Sequence, residues 1–282
     1  MRRGSKRWAF LHGQQNRLAD TGLIDIAGKS EQEHARKLEI LAAAAWPAET
    51  KETVQGWSLG FTHGVTRRAN SVLPLEWDGK GLGTAIDEVE HHYRDHDLRP
   101  CFKMSPAALP PGLAGALAER GYRAEGESDV LVAEPQASAA SSFGDLNIRL
   151  LDKPEPDWIE ACWSAREKEV PVLLALVKRI MKPRIFALAE RDGAPTGAAL
   201  AVAEDGWAGI TAVNTLPAYR RAGVARGIMD ALTGWAGERG QGSIYLQVER
   251  DNAAARALYD GLGYRHAYSY HYLVAPPPAA GA

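Results

Sequence analysis

Cysteine is scarce. Cys101 and Cys162 are the only two in 282 residues, far apart and without a C-x-x-C spacing, which argues against a disulfide framework or a zinc site and fits a reducing compartment. Both are expected to pack as small apolar side chains. Charge of one sign is also lacking: 33 Lys and Arg against 35 Asp and Glu leave a net charge of -2, no general field for nucleic acid or an anionic membrane surface. No apolar run reaches the roughly 20 residues of a membrane-spanning helix. The first 30 residues carry Arg2, Arg3, Lys6, Arg7, Arg17 and Lys29 but no continuous apolar core, so they read as a solvated arm and not as a secretory signal. These absences predict a cytoplasmic protein without a nucleic-acid or membrane partner. No feature fixes an oligomeric state.

What is present is the composition of a globular protein, 45% hydrophobic and 24% charged, with length enough for two domains. Ser30, two early acidic residues and the stripe Leu38, Leu41, Ala42 and Ala45 predict a helix ended by Pro47. Strands are expected at 54–61 and 65–73 around a turn at 62–64. A Gly-rich turn at 78–83 then leads to a helix at 84–97, a strand at 100–104, a helix at 109–119 and a strand from Gly121-Tyr122 to Ala133. The stretch E-P-Q-A-S-A-A-S-S-F-G, 134–144, has loop composition.

Beyond it the order repeats. A strand at 146–151 and helices at 156–166 and 171–181 precede strands at 184–190, 196–204 and 207–215, joined by the hairpin signals Asp192-Gly193 and Asp205-Gly206. A helix at 223–239, a strand at 243–249, a helix at 252–262 and a strand at 264–274 complete the set. Gly121-Tyr122 and Gly263-Tyr264 mark equivalent corners of an imperfect internal duplication. The expectation is an α/β (α+β) protein of two similar units, each a mixed, mostly antiparallel sheet flanked by helices. The boundaries expected are an arm at 1–30, a first domain at 31–134, a linker at 135–145, a second domain at 146–275 and a tail at 276–282.

The most informative stretch is V-N-T-L-P-A-Y-R-R-A-G-V-A-R-G-I-M-D, 213–230. A strand ends near Thr215 and Arg220-Arg221-Ala222-Gly223-Val224-Ala225 turns directly into a helix. The first helical N–H groups have no intrahelical partner and lie at the positive end of the dipole. Gly223 and Ala225 are small, so a phosphate can approach those donors, and Arg220 and Arg221 add charge beside it. By physics alone this is an anion site suited to a diphosphate.

R-R-A-G-V-A resembles the Q/R-x-x-G-x-G/A signature of the GNAT superfamily, with Arg220, Gly223 and Ala225 at its defining positions. The later run V-E-R-D-N-A-A-A-R-A-L-Y-D-G-L-G-Y, 248–264, resembles that superfamily's N-x-x-A-x-x-L-Y-x-x-x-G-F/Y pattern through Asn252, Ala255, Leu258, Tyr259, Gly263 and Tyr264. The resemblance covers about 146–274 and implies an N-acetyltransferase that uses acetyl-CoA. It implies that the N–H groups from Arg221 to Arg226, Ala222 included, bind the pyrophosphate. It implies too that Val213, Asn214 and Thr215 pair their main chain with the pantetheine arm as an added strand, and that Asn252 hydrogen-bonds the pantetheine or its neighbouring backbone.

Acetyl transfer needs a neutral amine, a donor for the oxyanion and a proton for the leaving thiolate. The N–H near Val213 is the candidate for the second and the Tyr259 phenol for the third; the alternative for Tyr259 is core packing. Glu249, just past a strand, is the candidate base. His266 and His271 are weaker candidates. In the first half, Gly79-Lys80-Gly81-Leu82-Gly83 resembles a worn copy of the loop, with Asp78 where an arginine is wanted, so that half is expected to be non-catalytic and to support the acceptor pocket. There Thr66-Arg67-Arg68-Ala69-Asn70-Ser71 reads as strand, with Arg68 and Asn70 on one face, placed either to hold a carboxylate-bearing acceptor or to join an interdomain polar network. Tyr270, in an alternating row with Tyr268 and Tyr272, lines the acceptor cleft or packs against the other half. The acceptor expected is the amine of a small molecule such as an amino acid or amino-bearing metabolite; the alternatives are a protein or antibiotic amine, or a CoA-binding regulatory module without turnover.

Overall fold

Two Asp-Gly pairs set up the second half. Asp192 and Gly193 (φ 52° and 77°) and Asp205 and Gly206 (φ 49° and 79°) take up the left-handed conformations of primed hairpin turns, whose twist matches that of the strands they join. They connect β7 (Arg184–Arg191), β8 (Ala194–Glu204) and β9 (Trp207–Thr215), and β6 (Leu146–Leu151) adds to the free edge of β7. In this computed structural model residues 31–79, 81–135 and 145–277 are described. The basic arm, Lys80, residues 136–144 of the expected linker and 278–282 of the tail lie outside them.

The first half departs from its expected strands. A hairpin of β1 (Thr50–Val54) and β2 (Trp57–Phe61) turns at Gln55 and Gly56, both at positive φ, inside the stretch expected as one strand. The second expected strand, 65–73, is mostly loop: one 3-10 turn, Arg67–Ala69, precedes β3, only Val72–Leu73. Asn70 is the reason. Its Oδ1 accepts from the N–H of Thr62 (2.6 Å) and Gly64 (3.0 Å), and its Nδ2 donates to the carbonyls of Val65 (2.9 Å) and Thr66 (2.8 Å). Backbone groups engaged by a side-chain amide are withdrawn from a ladder.

The remaining elements are α1 (Glu31–Ala45), α2 (Leu82–Asp95), β4 (Cys101–Met104), α3 (Leu113–Glu119) and β5 (Arg123–Ala133) in the first half. In the second they are α4 (Pro156–Trp163), α5 (Val170–Lys178), α6 (Val224–Glu238), β10 (Ser243–Glu249), α7 (Ala253–Asp260) and β11 (Arg265–Val274). The strands of the described residues join one sheet in the order β1-β2-β3-β4-β11-β5-β10-β9-β8-β7-β6. Only β3–β4 and β9–β10 are parallel, so the sheet is mixed and mostly antiparallel as expected.

The halves do not each close a sheet of their own. β11, last in the second half, lies between β4 and β5, while β5, last in the first half, lies between β11 and β10. The last strands have changed places. Tyr268, Tyr270 and Tyr272 of β11 are therefore buried where the halves meet, beneath α1. Glu39 of α1 and Lys103 of β4 form a buried ion pair there (2.6 Å), and the Tyr268 hydroxyl donates to Glu39 (3.0 Å). Helix α6 covers one face of the second half's strands around Ile228, Leu232 and Trp235; α4 and α5 cover the other around Trp158, Leu173 and Leu176. Among the described residues, no helix is long and apolar enough to cross a membrane.

Candidate active site

The two parallel strands at the middle of the second half pair for four residues only, Trp207–Ile210 of β9 with Ser243–Leu246 of β10. Past that point β9 stays with β8, and β10 stays with β5. A bulge at Ala212 (φ 55°), where β9 gains a residue against β8, helps turn the strand away. The Cys162 thiol donates to the Ala212 carbonyl across the bulge (3.3 Å). The result is a V-shaped cleft of about 830 Å³. Along it, residues 211–215 present one strand edge without a partner strand, a template for an extended ligand.

At the mouth of this cleft begins α6. Gly223 takes φ 80° as its N-cap, and the first N–H bonded back is that of Gly227, to the Gly223 carbonyl. The N–H groups of Val224, Ala225 and Arg226 thus have no acceptor among the described residues, and no side chain caps them. Close packing holds the turn in place: a Cβ on Gly197 of β8 would lie 2.7 Å from both the Asn214 carbonyl oxygen and a Val224 methyl. Arg220, Arg221, Gly223, Val224, Ala225 and Arg226 all line the cleft, and Ala222 does not. Val213, Asn214 and Thr215 line it from β9, while the Asn214 amide donates to the Ala161 carbonyl of α4 (2.7 Å) and fixes the strand.

Tyr259 of α7 enters from the opposite wall. It is 5% exposed, packs its ring on Tyr264 at 5.7 Å, and has no hydrogen-bond partner for its hydroxyl among the described residues. Burial pushes its phenol up to about 12. Core packing and cleft lining, set as alternatives by the sequence, are both its situation. Glu249 lines the cleft at the exposed end of β10. Asn252 also lines it; its Oδ1 accepts from the Ala255 N–H (3.1 Å) as the N-cap of α7, while its amide nitrogen has no acceptor among the described residues.

Of the three residues expected to face the acceptor, Arg68, Asn70 and Tyr270, one does so directly. Arg68 reaches the cleft and donates from Nη1 to Thr211 Oγ1 of β9 (2.9 Å), with its guanidinium 4.9 Å from the Trp46 ring. Asn70 does not share its face: it is 7% exposed and spends its amide on the loop at 62–66. Tyr270 is buried outside the cleft and donates to Gln247 Oε1 (3.1 Å), a residue that does line it. Gln247 escaped the sequence reading, although it lies two residues before Glu249 and shares its strand face.

Asp129 of β5 escaped it too. It accepts from Arg250 Nε (2.9 Å) and Ser269 Oγ (2.8 Å) and pairs with Arg256 (3.3 Å), tying down the loop between β10 and α7 that carries Asn252. His266 sits 3.7 Å from the same carboxylate, away from the cleft.

The matching place in the first half is closed. The Leu109 N–H donates to the Pro74 carbonyl (2.8 Å), and the Trp57 indole to the Leu109 carbonyl (2.9 Å), stitching together the segments that follow β3 and β4. A Cβ on Gly79 would collide with the Gln55 side chain.

Comparison with known proteins bears on this geometry. The family model described as "Probable histone acetyltransferase Rv0428c C-terminal" matches residues 33–273. The Bacillus subtilis protein described as "Uncharacterized N-acetyltransferase YobR" is 29% identical over 248 residues, covering 85% of this chain and 98% of its own. The "Probable histone acetyltransferase Rv0428c" of Mycobacterium tuberculosis is also 29% identical, over 245 residues, covering 85% of this chain and 74% of its own. Among solved structures, a GCN5-related N-acetyltransferase from Kribbella flavida shares the fold at 18% identity with a TM-score of 0.62, covering 87% of this chain and 97% of its own. A tandem GNAT protein from the clavulanic acid biosynthesis pathway does so at 13% identity with a TM-score of 0.55, covering 85% and 88%. The chain thus belongs to the Rv0428c C-terminal acetyltransferase family and, with it, to the GNAT superfamily of N-acetyltransferases.

Proposed function

We propose that the chain transfers acetyl from acetyl-CoA to the primary amine of a small molecule, by direct attack in a ternary complex held in the β9–β10 cleft. The observation that carries this reading is the bare N-terminus of α6 at the mouth of an opening edged by unpaired strand. The Val224, Ala225 and Arg226 N–H groups, with Arg220 and Arg221 beside them, suit a diphosphate. The main chain at 213–215 suits an extended amide arm, and the Asn252 amide nitrogen a carbonyl on it. Bound there, acetyl-CoA supplies an acyl group on a good leaving group. The Val213 N–H would stabilise the oxyanion, Tyr259 would protonate the departing sulfur, and Glu249 would take the amine proton, directly or through water. The first half, whose corresponding segments are stitched together among the described residues, acts as support.

The name of the mycobacterial relative makes a protein lysine the second reading. Both readings are tested by thiol release from acetyl-CoA across small amines and a lysine peptide, beside melting and calorimetry with acetyl-CoA. Binding to the native state alone raises stability by about 2.7 kcal/mol at a hundredfold excess over Kd. Absence of both a melting shift and calorimetric binding would remove the proposed cofactor site.

A further inference from the structure

Among the described residues, Arg68 is a cation without a carboxylate partner. It is half-buried at the junction of the halves, among 3-10 turn residues of the first half and against β9 of the second. No ion pair to it exists among the described residues. Its Nη1 is taken by a neutral hydroxyl, Thr211 Oγ1, and its plane is steadied by Trp46. The Nε and Nη2 edge has no protein acceptor among the described residues, yet it is not sealed away, since none of its nitrogens is both buried and unpartnered.

Arg68 lines both the cleft and a small adjoining cavity of about 40 Å³. The one carboxylate of the smaller cavity, Glu39, is committed to Lys103 at 2.6 Å and to the Tyr268 hydroxyl. The carboxylate of the cleft, Glu249, stands at the end of β10, past the register in which the two strands meet. A partly desolvated guanidinium is costly to keep beside an open cavity without a counter-charge. Its free edge is the planar fork that matches a carboxylate with two parallel hydrogen bonds.

We propose that the acceptor is an amine that also bears a carboxylate, and that Arg68 holds it by that carboxylate at the inner end of the cleft. The proposal rests on reading the cleft as an acetyl-CoA site. The anionic group is the acceptor's and not the cofactor's diphosphate, because the diphosphate is already provided for at the far end. Thr211 and Thr215 are separated along β9 by roughly 13 Å at about 3.3 Å per residue, and Arg220 and Arg221 lie beyond Thr215. The cleft therefore has a cationic group at each end, with the bulged strand at its middle, and Tyr259 lines it as well. An amine whose carboxylate sits on Arg68 has its nitrogen directed toward that middle.

The test uses matched acceptors: free amino acids, the same amino acids as carboxamides, their decarboxylated amines, and a lysine peptide. Each is assayed by thiol release with the whole chain. In the wild type kcat/KM for the carboxylate form should exceed that for its carboxamide by on the order of 10²-fold, the loss expected when one partner of a buried charged pair is removed. In Arg68→Gln that ratio should fall close to one through a rise in KM, while calorimetric acetyl-CoA affinity stays within about twofold. Should Arg68→Gln fail to fold, Arg68→Lys keeps the charge but loses the fork, and its ratio should fall by about tenfold. Equal rates on the two forms, or faster reaction of the peptide, with acetyl-CoA still bound, would overturn the acceptor class and leave the cofactor site standing. Failure of acetyl-CoA to bind would instead remove the reading beneath it.

Discussion

Burial pushes the Tyr259 phenol up to about 12, so at neutral pH it holds its proton and can give it to a leaving sulfur. Its ring is fixed by Tyr264, and its hydroxyl is unspent among the described residues. Tyr259→Phe removes the oxygen and keeps the packing. The expected outcome is a kcat about 10²-fold lower, the low end of general acid catalysis, with acetyl-CoA affinity little changed, the pattern of an interaction made in the transition state. Because burial raises the phenol above its ordinary value of 10, any basic limb belonging to Tyr259 should be displaced upward from that value in the pH–rate profile. Wild-type turnover in the Phe variant would return Tyr259 to packing alone. Tyr259 and the 220–226 turn were legible because their spacing within a short stretch carries their geometry. Arg68 and Asp129 act through partners 143 and 121 residues away, and no local pattern encodes such distances. The false pairing of Arg68 with Asn70 came from assuming a strand where the Asn70 amide had already gathered the backbone.

At the scale of single elements, two termini govern the site. The first is the start of α6, where Ala225 lines the cleft in the first turn. A carboxylate there suits the helix dipole, so Ala225→Glu should melt at or slightly above the wild-type temperature. The same charge repels a diphosphate, and acetyl-CoA affinity should fall by about 10² or more. Unchanged affinity in a folded variant would make the turn a structural connection only. The second terminus is the loop into α7, held by Asp129. Burial raises this carboxyl, but the hydrogen bonds from Arg250 and Ser269 and the charge of Arg250 outweigh it, so it titrates below the ordinary value of 3.8. Its contribution is therefore complete above that value and is lost as pH falls through the lowered one. Asp129→Asn should cost about 1–3 kcal/mol at pH 7, read by urea unfolding, and the gap to wild type should close in acid. A gap independent of pH would mean that the carboxylate is not the stabilising form. The helices and Asp-Gly hairpins were legible from period and turn chemistry. The Gln55-Gly56 turn was not, because Gln seldom signals a left-handed position.

For the whole molecule, the duplication was legible in the order of elements, yet the exchange of β5 and β11 was not. Either strand offers the same alternation to either sheet, and only three-dimensional closure chooses between them. The exchange has a thermodynamic consequence. The first half's core, around Trp57 and Phe102, includes Leu273 of β11, and the second half's core includes Leu131 of β5. Neither half can lose its last strand without opening the other, because β4 would lose β11 and β10 would lose β5. Unfolding should then be one cooperative event and not two. Variants that keep only Trp57 and Trp77 as tryptophans, or only Trp158 and Trp163, report on separate cores. Calibrated against the unlabelled melt of each variant by far-ultraviolet dichroism, fluorescence and dichroism should give the same urea midpoint within each protein. Saturating acetyl-CoA, whose proposed site is at α6 in the second half, should raise the Trp57 and Trp77 midpoint as much as the Trp158 and Trp163 midpoint. A first-half signal that ignores the ligand, or that melts apart from the dichroism, would show two independent domains and overturn the coupling assigned to the exchanged strands.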